Sequence, residues 1–125
     1  MSPPLILVVE DNETNQMLTV AVLERDGYRV VVARNAYEAR QHLHAARPDL
    51  ILMDVQLPGE DGLELTRQLK SDAATKPIPI VAMTAHAMQG DAELAINAGC
   101  TGYIAKPIDT RALAEQVRRF LAVAR

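Results

Sequence analysis

Short apolar runs recur along the chain, and each is followed by a stretch with helical spacing. Leu5-Ile6-Leu7-Val8-Val9, Leu50-Ile51-Leu52-Met53 and Ile78 to Met83 are continuous rather than alternating. Such runs are the mark of parallel strands covered on both faces. Arg29 to Ala33 is a β-branched run that predicts a less buried edge strand, and Gly102 to Ala105 predicts a short last strand.

Between them, Asn12 to Asp26 reads as a helix with Leu18, Ala21 and Val22 inward, stopped by Gly27. Asn35 followed by Glu38 is a capping-box-like start. The helix it opens turns Ala36, Ala39, Leu43 and Ala46 inward, and Pro48 forces its end. Gly62 to Ser71 predicts a helix with Leu65 and Leu69 inward. Gly90 to Ala98 predicts a weaker one ending at Gly99. Asp109 can cap a last helix carrying Leu113, Val117, Phe120 and Leu121 on its inner face. No internal repeat, low-complexity segment or linker interrupts the pattern.

Strand and helix therefore alternate throughout. That alternation predicts one α/β domain over residues 1–125, a doubly wound parallel sheet joined by right-handed crossovers. Four strands run into chemically useful residues: Glu10-Asp11, Asp54, Thr84 and Lys106. Asp54 stands at a carboxyl end, because Pro58 shortly after it has no N–H for a central ladder. Open α/β sheets bind ligands at this edge. In the order 2-1-3-4-5, the first and third strands are neighbours about 4.8 Å apart. Glu10, Asp11 and Asp54 then converge, with Thr84 and Lys106 arriving from the other side.

Composition narrows the picture modestly. Aromatic residues make up only 3% of the chain, so the core must be aliphatic. A net charge of −3 argues against nucleic-acid binding. Cys100 is the only cysteine, which suits a reducing cytosol and excludes an internal disulfide. No secretory signal and no membrane-length apolar run is present, so a cytoplasmic protein is expected.

Charge matters more at the converging acids. Carboxylates at one point repel and raise one another's pKa unless a positive group sits among them. A hard divalent cation such as Mg²⁺ suits an all-oxygen site. Lys106 adds an ammonium and Thr84 a hydroxyl. Together with a carboxylate nucleophile they suit phosphoryl transfer onto Asp54 as an acyl phosphate.

Val8-Val9-Glu10-Asp11-Asn12, Leu52-Met53-Asp54-Val55-Gln56-Leu57-Pro58-Gly59, Met83-Thr84-Ala85 and Gly102-Tyr103-Ile104-Ala105-Lys106-Pro107 occur in order from Leu5 to Leu121. Together they resemble the receiver domain of bacterial two-component response regulators. The resemblance implies a flavodoxin-like, CheY-like fold. It implies that Asp54 is phosphorylated by a histidine kinase or a histidine phosphotransfer protein. Glu10, Asp11, Asp54 and the Gln56 backbone carbonyl would hold Mg²⁺, or Mn²⁺ in its place. Lys106 would contact the phosphoryl group, Thr84 would swing toward it, and Tyr103 would change rotamer with it. Glu10 replaces the aspartate of many members, which shifts direct metal contact toward Asp11. Pro107 matches a position that in this family often follows a cis bond. A non-enzymatic signalling domain is expected, a monomer or weak dimer read by a downstream protein on the face of the fourth helix, fifth strand and fifth helix.

Within the family, Ala85-His86-Ala87-Met88-Gln89-Gly90-Asp91 and Gly99-Cys100 look most like stand-alone cell-division regulators and the receivers of hybrid kinases. With few residues after Leu121, a stand-alone receiver is expected, and a receiver from a larger hybrid kinase is the alternative. His86 and Gln56, each two residues past a strand-end group, are candidates for tuning hydrolysis of the acyl phosphate. A haloacid-dehalogenase-type phosphatase is disfavoured, because its second acid would fall at Gln56. A flavin-binding flavodoxin is disfavoured because Glu10-Asp11 would repel phosphate. His42, His44 and the Arg118-Arg119 pair read as solvated helix positions, and Cys100 as a packing residue.

Overall fold

The computed structural model describes residues 3–124. Five strands, β1 (Leu5–Val9), β2 (Arg29–Ala33), β3 (Leu50–Asp54), β4 (Ile80–Thr84) and β5 (Gly102–Ala105), form one parallel sheet in the order β2-β1-β3-β4-β5. Five helices connect or follow them: α1 (Glu13–Arg25), α2 (Ala36–Ala45), α3 (Gly62–Ser71), α4 (Asp91–Ala98) and α5 (Leu113–Ala124). This is the expected flavodoxin-like arrangement, with β2 at an edge.

Side chains alternate across a strand, so the sheet carries two cores. Leu7, Val9, Ile51, Met53, Ile80 and Ala82 pack under α2, α3 and α4. Ile6, Val8, Leu50, Leu52, Val81, Met83 and Ile104 pack under α1 and α5, against Val22, Leu23, Leu113, Val117 and Leu121. Each inner strand thus has apolar residues at every position up to its carboxyl end, where Asp54 closes β3 and Thr84 closes β4, and a continuous run is its natural sequence.

Helix ends follow local chemistry. Asn12 and Asn35 accept from Asn15 N–H and Glu38 N–H, each at 2.9 Å. Glu38 closes back onto Arg34 N–H (2.8 Å) rather than onto the cap residue. Asp61 accepts from Leu63 N–H at 2.8 Å and opens α3. Gly99 ends α4 with φ 112°, a left-handed conformation that favours glycine.

The structure corrects several expected details. Leu18 and Ala21 face solvent; Thr19, Val22 and Leu23 form the buried stripe of α1. Ala46 is exposed, because the helix has ended at Ala45. β4 begins at Ile80, not Ile78, since Pro77 and Pro79 flank Ile78 and neither can donate to a ladder. His42 is not simply solvated: its Nε2 lies 2.9 Å from the Val32 carbonyl and ties α2 to β2.

Candidate functional site

Register alone builds the site. Val9 pairs with Met53, so the next residues, Glu10 and Asp54, leave the sheet side by side. Asp54 pairs with Met83, which puts Thr84 one step further on. Thr84 pairs with Ala105, which puts Lys106 one step beyond again. Backbone bonds hold these exits: Glu10 N–H to Ala33 carbonyl (2.9 Å), Val55 N–H to Met83 carbonyl (3.1 Å) and Lys106 N–H to Thr84 carbonyl (2.7 Å).

Glu10 and Asp54 are buried, while Asp11 is exposed. Lys106 Nζ bridges the two buried acids, 2.9 Å from Glu10 Oε1 and 3.2 Å from Asp54 Oδ2. Asp54 Oδ1 accepts from Gln56 N–H at 3.0 Å, and Glu10 Oε2 accepts a long bond from Asn12 N–H at 3.4 Å. The peptide joining Lys106 to Pro107 is cis. Glu10, Asp11, Asn12, Asp54 and Lys106, with Val55 to Pro58, Thr84 and Ala85, line a cleft of about 700 Å³ at the carboxyl edge of the sheet.

Burial pushes the Asp54 carboxyl up to about 7, and the adjoining Glu10 carboxylate adds to the rise. Burial acts the same way on Glu10, but its hydrogen bond with Asp54 and the Lys106 ammonium outweigh it and hold Glu10 below its ordinary value. Burial would lower Lys106; its two acidic partners reverse that and raise it. One ammonium therefore serves two buried carboxylates, and the deficit falls on Asp54.

The donor set fits a hard cation. Glu10, Asp11 and Asp54 each offer a carboxylate oxygen, all within 4.8 Å of one another. Glu10 Oε1 is fully enclosed and receives no well-directed hydrogen bond, only the ammonium.

Thr84 points elsewhere. Its hydroxyl donates to Asp91 Oδ2 (3.0 Å) at the start of α4 and accepts from His86 N–H (3.0 Å). Tyr103 is 45% exposed and lies over α4 with Ala92, Glu93, Ile96 and Asn97.

The family model for the response regulator receiver domain matches residues 6–118. The chain belongs to that family. Among curated relatives, the polar-differentiation response regulator DivK of Brucella anthropi is 44% identical over 119 residues, covering 95% of this chain and 97% of the relative. Among solved structures, the receiver domain of the Pseudomonas aeruginosa sensor histidine kinase PA1611 is 38% identical with a TM-score of 0.87, covering 96% of this chain and 98% of that one. That structure has a magnesium ion coordinated in its active-site cleft. The Mn²⁺-bound form of the response regulator Rcp1 is 27% identical with a TM-score of 0.79, covering 94% of this chain and 91% of that one.

In this receiver, the strand-end residues singled out in the sequence converge as a group: Glu10, Asp11, Asp54, Thr84 and Lys106 all line one cleft. Gln56 stands exposed at its rim. His86 is exposed outside the lining and meets the receiver site only through its backbone N–H. Three further contributors escape a reading of the sequence. Gln16 Nε2 donates to the Glu10 carbonyl at 2.6 Å. Gly62 donates its N–H to the Val55 carbonyl at 3.0 Å, and a Cβ there would sit 2.0 Å from the Asp54 carbonyl oxygen. Asp91 holds Thr84. Only Gly62 had a hint, a glycine opening a helix just after an acid able to cap it.

Proposed function

We propose that this receiver is a phosphorelay switch in which Asp54 accepts a phosphoryl group from a phosphohistidine on a kinase or phosphotransfer protein. The observation that carries the reading is Asp54 Oδ2 at 3.2 Å from Lys106 Nζ, in a cleft where Glu10 and Asp11 supply further carboxylates. An Asp54 oxygen attacks phosphorus, the P–N bond breaks, and its electron pair returns to the donor imidazole. Asp54 becomes an acyl phosphate. Lys106 leaves its pairing with Asp54 to meet the new phosphoryl oxygens, and Thr84 turns its hydroxyl toward them. Hydrolysis reverses the change: water attacks phosphorus, the Asp54 carboxylate is restored and phosphate leaves, with Gln56 and His86 flanking the approach.

Glu10, Asp11, Asp54 and the Gln56 carbonyl are the proposed holders of Mg²⁺, with Mn²⁺ as a substitute. The bound cation supplies positive charge against the phosphoryl oxygens and favours ionised Asp54. Asp11, being exposed, is the acid freest to meet it. The output is contact with a downstream protein on the surface of α4, β5 and α5, where Tyr103 changes rotamer. The proposed switch is a single domain that acts in the cytoplasm as a monomer or weak dimer, and its net charge of −3 disfavours nucleic-acid contact.

Incubation with a small-molecule phosphodonor and Mg²⁺ tests the site. Intact mass should show one added phosphoryl group, stable to acid and labile to base. An Asp54→Asn protein that still gains it would overturn the assignment.

A further inference from the structure

We propose that Asp91 is a positioning residue that holds the Thr84 hydroxyl in reserve, so that phosphorylation must break a contact to α4 before Thr84 can serve the phosphoryl group. This rests on the phosphoacceptor reading of Asp54 and names how that site reaches α4.

Strand parity explains why the contact exists. Glu10, Asp54 and Lys106 follow the parity of Ile6, Val8, Leu50, Leu52 and Ile104, on the α1 and α5 side of the sheet. Thr84 follows Ile80 and Ala82, on the side of α2, α3 and α4. It ends its strand facing α4 rather than Asp54, and the first residue of α4 meets it.

A hydroxyl has one proton to donate. In Thr84 that proton goes to Asp91 Oδ2 at 3.0 Å, and the oxygen already accepts His86 N–H at 3.0 Å. A phosphoryl oxygen on Asp54 can take the proton only if the Asp91 bond is given up. Asp91 is placed to make the bond matter. The residue before it, Gly90, is left-handed at φ 96° and has no side chain to cap α4, yet Asp91 turns its carboxylate back to β4 instead of serving its own helix. Tyr103 lies over the same helix beside Ala92 and Ile96. Releasing Asp91 therefore frees the first turn of the element on which Tyr103 rests.

Beryllofluoride, a phosphoryl stand-in, is titrated with Mg²⁺ into the full chain and followed by ¹⁹F NMR. Asp91→Ala frees the Thr84 proton in advance, and affinity should rise about fivefold, the ratio expected for one hydrogen bond of about 1 kcal/mol. Asp91→Asn keeps a weaker acceptor and should fall between the two. The gain should persist with Thr84→Ser and vanish with Thr84→Val, which has no hydroxyl to release. A gain of equal size in the Thr84→Val background, or an Asp91→Ala protein no tighter than the parent, overturns the proposal while leaving Asp54 untouched. A parent protein that takes up no beryllofluoride overturns both readings together. If Asp91→Ala does not fold, the Asp91→Asn comparison decides by the same Thr84 dependence.

Discussion

At the residue, Asp54 is a buried acid sharing one ammonium with Glu10, and its protonation is set by that shortage. Its carboxyl is pushed up to about 7 by burial first and by Glu10 second. In the unfolded chain it ionises near 3.8. An acid raised by folding contributes stability below its unfolded value and loses it as pH rises through the folded one. Without metal, the parent should therefore lose stability between about pH 4 and pH 7 relative to Asp54→Asn, which cannot ionise. The two melting temperatures should coincide near pH 4, and the variant should lead by several degrees above pH 7, at about 4 °C per kcal/mol for a domain of this size. A variant that melts lower than the parent at pH 8 would mean that the Lys106 pairing outweighs burial. Gly62 makes a steric counterpart. Its added Cβ would overlap the Asp54 carbonyl oxygen, and backbone rather than a flexible side chain must move. Gly62→Ala should cost about 1–3 kcal/mol in denaturant unfolding and slow phosphorylation as well. An unchanged unfolding midpoint would show that the loop gives way freely.

Among the elements, α1 tests how far a pattern can be trusted. Thr19 is fully buried in it, and its hydroxyl finds no partner among the described residues. Thr19→Val keeps the branched shape and removes the unmet polar group, so it should stabilise the fold by about 1 kcal/mol, read as a higher unfolding midpoint. A loss of similar size would reveal a bound water satisfying the hydroxyl. The same residue shows where the sequence misleads. Apolar residues lie all round α1, with Met17 and Leu18 exposed, so the stripe of Leu18, Ala21 and Val22 was as regular as the real one of Thr19, Val22 and Leu23. Strands were more legible, because the inner ones are buried on both faces and need no phase to be assigned; only Pro79 moved a boundary. Legibility of the site followed from the strands. Glu10, Asp54, Thr84 and Lys106 stand at strand ends, and once strand order is known, register places them. Gln16, Gly62 and Asp91 act from helices, where contact depends on helix rotation and approach distance, and neither is written in local pattern.

Across the whole molecule, the sheet gathers acid at one edge and leaves the balancing charge to a solute. The parent chain carries a net charge of −3, yet the cleft acids are paired only with Lys106 among the described residues. A cation that binds the folded cleft and not the unfolded chain stabilises the fold by mass action, about 2.7 kcal/mol at a concentration one hundred times its dissociation constant. Saturating Mg²⁺ should raise the melting temperature by about 10 °C at about 4 °C per kcal/mol. Matched ionic strength from sodium chloride should give little of this, because screening acts weakly on buried acids. The gain should shrink sharply in Asp11→Asn and Asp54→Asn, each of which removes a carboxylate donor. It should survive in Thr84→Val, whose missing hydroxyl belongs to the α4 side of the sheet. A rise that sodium chloride reproduces, or that Asp54→Asn keeps in full, would place the cation away from the cleft. The pH response should then change with metal present: binding favours ionised Asp54, so the loss of stability between about pH 4 and pH 7 should flatten as Mg²⁺ is added. Metal and proton compete for one carboxylate, and their competition is measurable from the melting curve of the intact domain.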